Sequence, residues 1–154
     1  MSGNAPEIDL PQLPHARVAI ISSSWHLDIC NDLIAGAQRA LKAASVRNVE
    51  VIYVPGSFEI PLAAQLAFEK GFDAVVAVGL VLEGQTPHFD YVCQGVTNGV
   101  MDVCLKFSAP IGFGVLMCNT LDQAIARSGR PGSSEDKGYD SAVAAIKLLQ
   151  LKEG

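Results

Sequence analysis

The stretch LEGQTPHFDY, residues 82–91, sets Gly84, Gln85, Thr86 and Pro87 directly ahead of His88 in an otherwise alanine- and valine-rich chain. Proline is tolerated in the opening turn of a helix because its missing N–H would be unpaired there anyway. The free amides of such a turn, the helix dipole and the Thr86 hydroxyl together suit a phosphate group. A plain capping turn would use the same residues, and neither GxxxxGK[ST] nor GxGxxG occurs in the chain. His88 adds an imidazole at the mouth of this turn, a group that takes and returns protons near neutrality. A structural histidine is the alternative. Asp90 lies two positions on, which on a helix turns it away from His88.

Four further residues could serve the same chemistry. Trp25, the one tryptophan, follows a strand among serines and could stack on a planar heterocycle or lie as a lid over the core. Glu59, after Gly56, Ser57 and Phe58, could accept hydrogen bonds from a polyol or close the first turn of a helix. Arg127 and Lys137 bracket a polar loop and could neutralise a phosphate or remain solvated surface cations. The set contains no activated nucleophile and no metal ligands. Cys30, Cys93, Cys104 and Cys118 lack close CxxC spacing and read as reduced core cysteines.

Positioning these groups requires strands that end together. RVAIISSS, VEVIYVPG, DAVVAVGLVL and PIGFGVLM are apolar runs of strand length, and each is followed by a stretch of helical periodicity. Thr120 is a natural helix cap, and Gly71 and Gly129 are natural stops. Alternating strands and helices call for a parallel sheet covered on both faces. In such sheets ligands sit beyond the carboxyl ends of the strands. The polar breaks SSSWH, PGSFE and EGQTPH fall there, so one shared cavity is expected. Residues 1–16 read as an extended arm, and residues 17–154 as a single domain.

Charge and length limit the function classes. The 154 residues carry a net charge of −5 without a basic run, which argues against a nucleic-acid partner. No apolar run approaches the roughly 18 residues of a membrane span, and the start lacks a secretory pattern. A cytoplasmic protein with no membrane partner is expected.

Five ordered blocks, SSSWH, VPGSFEIP, GQTPHFDYV, FGVL and QAIARSG with DKG, resemble the 6,7-dimethyl-8-ribityllumazine synthase family over about residues 17–149. The resemblance implies a flavodoxin-like three-layer α/β/α subunit with a four-stranded parallel sheet. It implies condensation of 5-amino-6-(D-ribitylamino)uracil with 3,4-dihydroxy-2-butanone 4-phosphate, without a metal or organic cofactor. A non-catalytic flavin- or lumazine-binding module is the alternative.

Residue by residue, it implies that Trp25 stacks on the pyrimidine, with His26 a weaker contact. Ser57, Phe58 and Glu59 meet the ribityl chain, and the backbone of Leu80, Val81 and Leu82 reads the ring. Gln85 and Thr86 hold the phosphate, and His88 transfers protons. Phe113, Arg127 and Lys137 reach the cavity from an adjacent subunit, Arg127 as a phosphate ligand. Glu83 stands where many members carry a basic residue, and Ala126 where many carry an acidic one. The family assembles as pentamers or as capsids of sixty subunits, and the long SGRPGSSEDKG loop favours the homopentamer here.

Overall fold

A computed structural model describes residues 6–154, so the first five residues of the expected arm lie outside the described region. Residues 6–16 form neither strand nor helix. They cross the end of the first helix, where the Leu13 amide donates to Ala44 O at 2.8 Å, and Leu13 and Ala16 enter the core.

Four strands follow: β1 (Arg17–Ser23), β2 (Asn48–Val54), β3 (Ala74–Leu82) and β4 (Ile111–Cys118). The helices are α1 (Leu27–Ala43), α2 (Ile60–Glu69), α3 (His88–Phe107), α4 (Leu121–Arg127) and α5 (Lys137–Glu153). A 3₁₀ turn at Ser57–Glu59 precedes α2. The sheet is wholly parallel in the order β2-β1-β3-β4. None of the described helices is long and apolar enough to cross a membrane.

The central strands are apolar from Val18 to Ile21 and from Ala74 to Val78 because both of their faces are covered there. Val18, Ile20, Val76 and Val78 pack in one cluster with Leu33, Leu41, Ile146 and Leu149 of α1 and α5. Ala19, Ile21, Val75 and Ala77 point the other way, against Ile60 and Ala64 of α2 and Val96 and Val100 of α3. The result is the expected flavodoxin-like three-layer α/β/α sandwich.

The helix signals hold with one adjustment. Thr120 caps α4, its hydroxyl accepting from the Gln123 amide at 3.3 Å while the Gln123 side chain accepts from the Thr120 amide. Gly71 and Gly129 take the left-handed conformation just past α2 and α4. Pro87 is the cap of α3 and not its first residue: its carbonyl accepts from the Asp90 amide at 3.0 Å.

Register makes the opening. Strand β1 pairs with β3 only from Val18↔Ala74 to Ser22↔Val78, whereas β3 continues beside β4 to Leu82↔Cys118. Residues 79–82 therefore have no strand partner on the β1 side. Helices α1 and α3 leave the neighbouring strands β1 and β3 toward opposite faces of the sheet. This divergence is the switch point at which α/β sheets bind ligands.

Candidate active site

A cavity of about 710 Å³ lies at the carboxyl ends of β1, β2 and β3. Its floor is the unpaired end of β3, with Leu80, Val81 and Leu82 on the wall. A main-chain edge left free in this way can offer N–H and C=O groups to the rim of a flat heterocycle.

Trp25 and His26 form one side. His26 takes the left-handed conformation, φ 51° and ψ 60°, which is uncommon for a residue with a side chain. That local strain turns the chain sharply from β1 into α1 and leaves Trp25 67% exposed. The bend is held from below, since the Cys30 thiol donates to Trp25 O at 3.2 Å and meets Ser23 Oγ at 3.6 Å. Burial pushes the Cys30 thiol pKa up, which keeps it protonated and able to donate.

The turn after β2 adds Ser57, Phe58 and Glu59 to the wall beside Trp25, whose Nε1 would lie 3.4 Å from a Cβ on Gly56. Glu59 does both things its position allows. Its Oε2 accepts from the Gly56 amide at 2.9 Å and closes the turn, leaving Oε1 for a ligand. Ser57 Oγ is buried without a hydrogen-bond partner among the described residues, which marks it for a ligand hydroxyl. Gly79 makes room for it: a Cβ there would lie 2.8 Å from Ser57 Oγ and 2.7 Å from Ser23 Oγ. The Phe58 ring is seated on α3 at Gly95, where a Cβ would come within 2.7 Å of the ring.

Thr86 and His88 also line the cavity. The amides of Gln85, Thr86, His88 and Phe89 have no acceptor in the described chain, and the His88 ring has no partner either. His88 and Asp90 form no ion pair. The Gln85 side chain is exposed and off the cavity wall. Sequence reasoning missed Tyr91 and Val92, which line the cavity one helical turn beyond His88. Spacing of three and four from a residue already placed was the available signal.

Phe113, Arg127 and Lys137 are not on the wall of this cavity. Phe113 is exposed on the edge strand β4. Arg127 Nε and Lys137 Nζ both approach Glu135, at 3.5 and 3.1 Å. The lining of this cavity therefore offers an exposed indole, the Ser57 hydroxyl, the Glu59 carboxylate and the Thr86–His88 turn, but no lysine or arginine. No cluster of potential metal ligands exists among the described residues.

Sheet and cavity together define a flavodoxin-like α/β protein that receives a small ligand at the switch point of its sheet. The family model for 6,7-dimethyl-8-ribityllumazine synthase matches residues 15–153. A Streptomyces coelicolor protein bearing that name is 48% identical over 147 residues, covering 95% of this chain and 91% of its own. One from Pseudarthrobacter chlorophenolicus is 50% identical over 152 residues, covering 95% and 94%. One from a Mycobacterium species, strain KMS, is 46% identical over 156 residues, covering 100% and 97%. The chain belongs to the 6,7-dimethyl-8-ribityllumazine synthase family.

Proposed function

We infer that the protein is an enzyme of riboflavin biosynthesis. It condenses 5-amino-6-(D-ribitylamino)uracil with 3,4-dihydroxy-2-butanone 4-phosphate to give 6,7-dimethyl-8-ribityllumazine. The carrying observation is the convergence of Trp25, the free end of β3 and the Thr86–His88 turn on one cavity. Each suits one part of the reactants: a stacking plate for the ring, a main-chain edge for its polar rim, and an anion turn for the phosphate.

The reaction follows from that seating. The 5-amino group attacks the ketone, and loss of water gives an imine. His88 relays protons as the phosphate leaves by elimination, and the ribityl-bearing nitrogen closes the second ring with loss of water. Ser57, Phe58 and Glu59 hold the ribityl chain, with Glu59 Oε1 and Ser57 Oγ as the groups free to bond it. Gln85 contributes its amide to the phosphate turn.

The active form is a homopentamer in which Phe113, Arg127 and Lys137 complete the cavity of the next subunit. The cavity of one subunit lacks the cation that a phosphate needs, while Arg127 and Lys137 lie together at Glu135 away from it.

Mixing the two substrates with the purified protein and following lumazine absorbance tests the activity. Emission from the single tryptophan, exposed at the cavity rim, reports binding in the same samples. Quenching together with product formation is expected. Quenching without product would favour a binding module in place of an enzyme.

A further inference from the structure

Glu135, in the loop between α4 and α5, is a mostly buried carboxylate that the reaction above does not use; its side chain is only 15% exposed. One oxygen lies 3.5 Å from Arg127 Nε and the other 3.1 Å from Lys137 Nζ. The second oxygen is buried, and the ammonium approaches it without hydrogen-bond alignment. The backbone of Glu135 is tied at both ends, its amide donating to Ala126 O at 3.0 Å and its carbonyl accepting from the Gly129 amide at 3.1 Å. The loop itself is pinned to α1 on both sides of Glu135. Arg130 pairs with Asp32 at 2.7 Å and with Asp28 at 3.4 Å, and Asp136 pairs with Arg39.

Two cations at the two ends of one loop repel each other when the loop brings them together, and long side chains lose orientation when nothing holds them. A fixed carboxylate between them removes both problems, and Asp140 also lies 3.7 Å from Lys137 Nζ. Arg127 Nη1 also donates to Gln123 O at 2.9 Å, so Nε and Nη1 are engaged while Nη2 has no partner among the described residues. The free side of the guanidinium is thereby presented in a set direction, the arrangement that planar recognition of an oxyanion requires.

We propose that Glu135 is a positioning residue that holds Arg127 and Lys137 as one oriented unit and so sets the affinity of the neighbouring subunit's site for the phosphate-bearing substrate. This rests on the reading that Arg127 and Lys137 complete that site. Charge alone predicts the opposite outcome on substitution. Glu135 is an anion near a phosphate site, so if it served only as a counter-charge, its removal would tighten phosphate binding.

The test is steady-state kinetics of the full-length Glu135→Gln and Arg127→Ala proteins, with each substrate varied in turn and inorganic phosphate as competitor. Glu135→Gln should raise the phosphate inhibition constant and the KM for the phosphate-bearing substrate by about three- to tenfold, the scale of one oriented charge-assisted contact. The KM for the pyrimidine should stay within about twofold, since that KM reports a different part of the cavity. Glu135→Asp should fall between, and Glu135→Gln should add nothing in the Arg127→Ala background. Unchanged or tighter phosphate inhibition in Glu135→Gln overturns the proposal while leaving the role of Arg127 intact. Unchanged inhibition in Arg127→Ala sinks the reading of Arg127 and Glu135 with it. Should Glu135→Gln not fold, Glu135→Asp decides, a parent-like inhibition constant overturning the proposal.

Discussion

His88 stands at the first position of α3 with no hydrogen-bond partner among the described residues, which suits the proton transfer proposed for it. Both reactants already carry their reacting groups, so on the proposed mechanism positioning should supply most of the acceleration, about 7–11 kcal/mol in well-aligned systems. His88→Ala should lower kcat by about 100-fold or less while KM values stay near the parent's, as an absorbance assay would record. Complete loss of turnover with binding intact would contradict the positioning account. Asp140 provides a pH readout. Burial raises its carboxyl pKa above the ordinary value, opposed by Lys137 at 3.7 Å. The folded state therefore holds this proton more tightly than the unfolded chain, so the contribution to stability is complete below the ordinary carboxylate range. It is lost as pH rises through the raised value. Asp140→Asn should accordingly gain stability relative to the parent as pH rises through that window, measured as a difference in melting temperature.

Among the elements, α1 and α5 meet most closely where α5 begins. A Cβ on Gly138 would fall well inside contact distance of the Leu33 carbonyl, and backbone cannot yield as a flexible side chain does. Gly138→Ala should destabilise the fold by about 1–3 kcal/mol, seen as a lower denaturation midpoint. The same junction carries Asp136, which caps α5 by accepting from the Tyr139 amide at 3.1 Å and pairs with Arg39 of α1. Strain here would reach the loop that holds Glu135, so the variant should also weaken phosphate inhibition. A variant equal to the parent in both measurements would show that the helices separate at little cost.

For the whole molecule the prediction is a mass. Five chains of 16.3 kDa give a particle of about 80 kDa, whereas sixty give about 1 MDa, and light scattering separates the two. The homopentamer reading requires the smaller particle. The sequence by itself determined the layers. Runs such as AVVAVGLVL, apolar on both faces and alternating with helical stretches, fit strands of a covered parallel sheet, and TLDQ can cap its helix from local contacts alone. It also placed Trp25, Glu59, Thr86 and His88 at strand ends, where a parallel sheet must open. Only the tertiary structure decided the rest. How far β3 outruns β1 is a matter of register, set by how crossover helices pack across the sheet rather than by the strand's own residues. Tyr91 joins the cavity wall because α3 is rotated by its buried face, Val96, Val100 and Val103. Arg127 and Lys137 meet at Glu135 because the loop folds back on α4, and an ion pair follows the path of the backbone, which the order of charged residues does not encode.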